Sequence, residues 1–139
     1  FQFQQGKYKG RIFVAANHSA GDPQKQFRDY AAHGFYSDDH GKTFKLTESV
    51  NIPGSNESTA AEISNNGIMF NARNQKGDIK ARIIAISHNG GSHWDTTYFD
   101  KQLPDPVCEG SIVNIGFKNN KHLLAFSNAA DIKNRNNLR

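Results

Sequence analysis

The sequence has one cysteine, Cys108, which excludes an internal disulfide, and six histidines beside that one thiol do not complete the paired Cys and His spacings of a zinc site. No metal and no other cofactor is therefore expected. Long apolar runs are also absent: nothing approaches the ~18–20 consecutive apolar residues that a membrane-spanning helix requires. The opening Phe1-Gln2-Phe3-Gln4-Gln5 lacks the basic region and apolar core of a signal peptide. A start without Met points to a chain that begins inside a longer protein, which leaves the compartment open. Charge of one sign is scarce as well. Seventeen Lys and Arg against thirteen Asp and Glu give +4, spread along the chain, so nucleic acid is not an expected partner. The locally basic tail, Lys133 to Arg139, reads as a solvated terminus.

What is present is β character. Short runs rich in β-branched and aromatic residues recur at Ile12–Ala15, Gly34–Ser37, Ala60–Ile63, Ile68–Ala72, Ile83–Ser87, Thr96–Phe99, Ser111–Phe117 and Leu123–Phe126. None carries a sustained 3.6-residue period, so helix content should be close to nil. Turn chemistry separates the runs, at Asn65-Asn66-Gly67, Asn89-Gly90-Gly91 and Lys118-Asn119-Asn120-Lys121. This reads as consecutive antiparallel strands in a meander.

One pattern occurs twice. Ser37-Asp38-Asp39-His40-Gly41-Lys42-Thr43-Phe44 and Ser87-His88-Asn89-Gly90-Gly91-Ser92-His93-Trp94 share Ser-x-Asp/Asn-x-Gly-x-x-aromatic and start fifty residues apart. That interval is about one propeller blade, ~40–50 residues. A short Asx side chain bonds nearby backbone N–H groups, glycine takes a positive φ, and the aromatic returns to seal the base of the hairpin. A calcium loop is the other reading of Asp38-Asp39-His40-Gly41, but the alternating oxygen ligands and closing bidentate Glu are missing.

The repeated pattern resembles the Asp box of bacterial and animal sialidases (neuraminidases), Ser-x-Asp-x-Gly-x-Thr-Trp. The first copy departs only by Phe44; the second has Asn89 for Asp and His93 for Thr. Between the copies, Asn56-Glu57-Ser58 through Glu62-Ile63 to Asn71-Ala72-Arg73 is similar to the sialidase stretch Asn-Glu-Ser-x-x-x-Glu-Leu followed by a strand ending in Asn-x-Arg. The resemblance implies that Glu57 is the carboxylate partner of a nucleophilic Tyr and that Arg73 is one of three arginines gripping the substrate. Asp105-Pro106-Val107-Cys108-Glu109-Gly110-Ser111 resembles the family's Cys-Gln-Gly-Ser segment, with Glu109 in place of Gln. Leu124 to Asn128 followed by Arg135-Asn136-Asn137-Leu138 resembles the stretch that supplies the third Arg, which maps to Arg135. The implied fold is all-β, with residues 1–139 forming about three blades of a six-bladed catalytic propeller, since six blades of ~40–45 residues need at least about 250.

The resemblance also marks what the segment does not contain. The family's first triad Arg and its acid/base Asp lie upstream of anything matched, and its Tyr lies downstream of the third Arg, whereas Tyr8, Tyr30, Tyr36 and Tyr98 all precede Arg135. The expected function is therefore part of an exo-α-sialidase acting on sialylated glycans, inactive alone and associating with the remainder of its own catalytic domain through open sheet edges and apolar blade faces. Sialic acid carries its carboxylate on the anomeric carbon, which suits paired Arg forks and repels an Asp or Glu nucleophile. Sialidases accordingly use Tyr. A non-catalytic sialic-acid-binding propeller, or a structural repeat using Asp boxes as staples, is the alternative. Arg82 competes with Arg73 if the register shifts, and Glu62 reads as a supporting or surface acid.

Overall fold

The computed structural model describes residues 1–119 and 121–139, and only the backbone of Gln26. Among the described residues it is all-β, with nine strands in three antiparallel sheets. The first contains β1 (Ile12–Ser19), β2 (Tyr30–Ser37) and β3 (Lys45–Leu46); the second β4 (Ser55–Ile63), β5 (Gly67–Asn74), β6 (Ala81–Ser87) and β7 (Thr96–Pro104); the third β8 (Gly110–Lys118) and β9 (Lys121–Asn128). Neighbours in sequence are neighbours in each sheet, which is the expected meander. Each of the eight sequence-read strands is present. Most run longer, because their polar ends continue the backbone ladder where alternation of side chains gives no signal. The two-residue β3 had no such signal, and among the described residues the one helical feature is a 3-10 turn at Lys25–Phe27. The turn expected at 118–121 includes Asn120, which lies outside the described residues.

The two Asp boxes show how the sheets correspond. One joins β2 to β3 and the other β6 to β7, so β2 is equivalent to β6 and β1 to β5. The place of β4 in the first sheet is held by Phe1–Phe3, where Gln2 bridges Ile12 and Phe3 N–H donates to Arg11 O at 2.9 Å. The second sheet is therefore a complete four-stranded blade between two partial ones. It packs through β4 on β1 to one side and on β8 to the other.

Alternation then sorts the side chains of this central blade. Ile68, Phe70 and Ala72 of β5, with Ile83 and Ala85 of β6, pack with Phe3, Phe13 and Ala32 from the first sheet, all essentially without solvent contact. The second box's aromatic joins them: Trp94 lies 5.0 Å from Phe70 and 6.5 Å from Phe13, and its indole N–H donates to Glu48 O at 2.9 Å. Gly91 is required here, since a Cβ would sit 2.4 Å from the Phe13 ring and φ is +89°. On the third sheet, Val113, Ile115, Phe117 and Leu123 remain exposed.

Within the first box, Ser37 Oγ accepts from Gly41 N–H at 2.8 Å, while Asp39 accepts from Thr43 N–H at 2.9 Å and from the Thr43 hydroxyl at 2.6 Å. Asn89 and Ser87 repeat the scheme in the second. Arg11 ties the two turns together: it forks onto Asp38 at 2.7 and 2.9 Å, donates to Gly90 O at 2.9 Å, and is sandwiched between Tyr8 and Tyr36.

The hydrogen bonds from Thr43 and then Ser37 hold the Asp39 carboxyl down at about 2, from an ordinary 3.8. A folded value below the unfolded one means stability that is complete above the unfolded value and lost as pH falls through the folded one. The acid limb of the unfolding curve should therefore lose stability between about pH 4 and pH 2. Asp39→Asn is expected to flatten that limb in pH-dependent thermal melts; an unchanged limb would show that the box does not contribute.

Candidate functional site

The segment that carries Glu57 is strand, not loop. Ser58 pairs with Ala72 but Ser55 pairs with Asn74, so three steps along β4 match two along β5, and one extra residue is accommodated at Asn56–Glu57. Such a bulge breaks the ladder locally and re-aims side chains. Beyond the Ser58–Ala72 pair, the next residues across the ladder are Glu57 and Arg73. Their side chains meet, Arg73 Nη1 to Glu57 Oε2 at 2.7 Å. This is an ion contact without hydrogen-bond alignment, since Glu57 Oε2 and Arg73 Nε are both buried atoms lacking a hydrogen-bond partner. Arg73 is mostly covered and Glu57 keeps 39% of its side chain accessible.

The row continues across the sheet. Ala72 pairs with Ile83, so Arg82 follows Arg73 on the same face of the next strand, and Arg82 itself pairs with Asp100 on β7. Two like charges across adjacent strands repel. The fold answers with Asp105, whose Oδ2 lies 3.3 Å from Arg82 Nη1, with side-chain exposures of 0% and 1% for the Arg and the Asp. Arg82 also donates to Asn71 Oδ1 at 2.6 Å and to Cys108 O at 2.6 Å. Burial, opposed by Asp105 and reinforced by the Arg73 charge, lowers the guanidinium from its ordinary value. Arg82 therefore has no solvent-accessible surface, whereas Arg73 keeps a little.

Arg135 is tied to the loop that Arg82 holds. Its guanidinium is exposed, and Nη2 donates to Val107 O at 3.0 Å, next to the Cys108 carbonyl that Arg82 holds. A continuous path thus runs from Arg73's strand through Asn71, Arg82 and the 105–108 loop to Arg135, while Glu57 and Arg73 are the pair in direct contact. Glu109 is exposed. Glu62 is 4% exposed and accepts from Gln4 N–H at 2.8 Å and Gln5 N–H at 3.2 Å, so it supports the N-terminal segment. Ser58 Oγ donates to Ala16 O at 3.2 Å and Ile112 N–H donates to Thr59 Oγ1 at 3.4 Å, so the Glu57 end of β4 is tied to both flanking sheets. His18, near the end of β1, shares a hydrogen bond with His33 at 3.0 Å. Of the four tyrosines, Tyr8 and Tyr36 sandwich Arg11, the Tyr30 ring lies 6.0 Å from that of Phe27, and burial raises the Tyr98 phenol. Sequence reasoning had no signal for the Arg82–Asp105 pair, whose partners stand 23 residues apart.

Among known families, the BNR repeat-like domain matches residues 2–139. A sialidase of Micromonospora viridifaciens is 34% identical over 112 residues, which is 76% of this chain and 17% of that protein. The chain belongs to the sialidase family of BNR-repeat proteins. A sialidase of Bacteroides fragilis (strain YCH46) is 33% identical over 106 residues, 73% of this chain and 19% of that one. This BNR-repeat chain thus spans less than a fifth of the length of the curated relatives it matches. Its fold is that of solved sialidase propellers. The leech intramolecular trans-sialidase superimposes with a TM-score of 0.76 over 99% of this chain and 19% of that one at 19% identity. The Hadza microbial sialidase Hz136 does so with a TM-score of 0.70 over 93% and 24% at 23% identity. The sheets here do not close on themselves, consistent with part of a propeller. Among the described residues, no helix is long and apolar enough to cross a membrane.

Proposed function

We propose that this chain supplies part of the active site of an exo-α-sialidase, a glycoside hydrolase that releases terminal sialic acids from glycoconjugates. The observation that carries the reading is the Glu57–Arg73 pair at a bulged strand end, with Arg73 Nε unpartnered. An unaligned ion contact is readily exchanged for a substrate carboxylate that pairs bidentately with the fork. Arg73 and Arg135 are assigned to that carboxylate, and Glu57, released from Arg73 as substrate enters, to a Tyr phenol supplied from outside residues 1–139. With a reference pKa of about 10, the phenol needs a base to take its proton as it attacks the oxocarbenium-like centre. The partners that follow are sialylated glycans and the remainder of the catalytic domain.

Titrating the 15N-labelled chain with the methyl α-glycoside of N-acetylneuraminic acid tests the reading without requiring turnover. The Arg73 Nε–H resonance should shift first, and Arg73→Lys should weaken binding by about tenfold or more, because an ammonium is unable to reproduce the fork. Shifts confined to the Asp-box turns, with Arg73 silent, would sink the assignment. The chain alone should not turn over a fluorogenic sialoside; robust turnover would show that the missing nucleophile and acid have been misplaced.

A further inference from the structure

We infer that Arg82 is a positioning residue for the substrate-carboxylate site: it holds the 105–108 loop in a strained conformation that fixes Arg135 relative to Arg73. The inference rests on the sialidase reading for its ligand, but its structural basis is independent. Val107 has φ +63°, a left-handed conformation that a β-branched side chain adopts only under constraint. The constraints are visible on both sides of it. Asp105 is buried, its Oδ1 accepts from Cys108 N–H at 2.8 Å, and its other oxygen faces Arg82. Arg82 takes Cys108 O at 2.6 Å, and Asn128 Nδ2 donates to Pro104 O at 2.6 Å just upstream. The strained Val107 carbonyl is the one that receives Arg135.

The other end of Arg82 is equally committed. Its Nε donates to Asn71, two residues before Arg73 on the same strand face, and the guanidinium lies 5.9 Å from the Phe126 ring of the third sheet. One buried side chain therefore joins the strand that carries Arg73, the loop that anchors Arg135 and the third sheet. A buried ion pair adds little to net stability, and its better-supported use is to specify an arrangement. Here that arrangement is the separation of two guanidiniums that must meet one carboxylate, for which displacement of about 1 Å is consequential.

Arg82→Lys and Val107→Gly, each with and without Arg135→Ala, test this in the 139-residue chain by amide hydrogen exchange, thermal melting and titration with the same methyl sialoside. Arg82→Lys keeps the charge and loses the fork. It should raise exchange at the Cys108 amide and weaken sialoside binding by about fivefold or more. The loss should be non-additive with Arg135→Ala, because both changes disable the same guanidinium. Val107→Gly, which removes the strain without touching the core, should raise the melting temperature while still weakening binding. That combination is not what a merely structural role gives. Unchanged Cys108 protection in Arg82→Lys, additivity with Arg135→Ala, or a Val107→Gly variant that is no more stable than wild type would each overturn the inference. If the wild-type chain binds no sialoside, the site reading fails while the exchange and melting results still decide whether Arg82 holds the loop. If Arg82→Lys does not fold, the Val107→Gly pair alone decides it.

Discussion

Glu57→Gln, introduced into a complete propeller containing this segment, is expected to lower kcat by about 10²–10⁴-fold, the usual range for loss of a general base. Glutamine keeps the shape of the side chain but is unable to accept the phenol proton. KM should change little or fall, because under the proposed function the carboxylate that contacts Arg73 at 2.7 Å competes with the substrate carboxylate for that guanidinium. Arg73→Lys should show the opposite split, a raised KM from losing a fork that acts in ground and transition states alike. Steady-state kinetics on a fluorogenic sialoside read both. Should Glu57→Gln keep kcat within about twofold of wild type while Glu62→Gln abolishes it, the base is Glu62. The structure gives the control a distinct expectation: Glu62 is buried beneath the Gln4 and Gln5 amides, so Glu62→Gln should act on stability.

Phe70→Ala is expected to destabilise the chain by about 3–5 kcal/mol, the range for removing a fully buried aromatic. Phe70 has no solvent exposure, lies 5.0 Å from Trp94, and belongs to the cluster shared by the first two sheets. Its loss leaves a cavity between blades that the backbone ladders on either side keep from collapsing. Urea unfolding followed by the fluorescence of the single tryptophan measures it directly. Phe44, the corresponding aromatic of the first box, is 49% exposed and lies edge-on to Phe35 at 5.4 Å, so Phe44→Ala should cost less than about 1 kcal/mol. Equal losses at the two positions would mean that the blade interface is not the main store of stability.

The contrast between Phe44 and Trp94 shows where local sequence stops being informative. Both boxes were legible, because their hydrogen bonds run between residues two to four apart and depend on the identity of Ser, Asp or Asn, Gly and Thr. Which aromatic would be buried was not legible, since that depends on whether another sheet lies over it. The strand order was likewise readable from short turns between apolar runs. The bulge at Asn56–Glu57 was not, as nothing in Ser55-Asn56-Glu57-Ser58 states that one residue has no partner on β5.

The candidate site divides in the same way. Sequence alone determined an all-β meander with two Asp boxes one blade apart and drew attention to Glu57, Arg73 and Arg135 by resemblance. These are properties of local hydrogen-bonding chemistry and of residue order. Tertiary structure decided what the two arginines of one strand-pair row become. Arg73 and Arg82 occupy the same face of adjacent strands, and alternation assigns them equal status. The 105–108 loop, arriving from beyond β7 with Asp105, closes over one of them and leaves the other beside Glu57. The difference between the fully buried Arg82 and the mostly covered Arg73 is a long-range pairing of charges, and only chain packing brings those charges together.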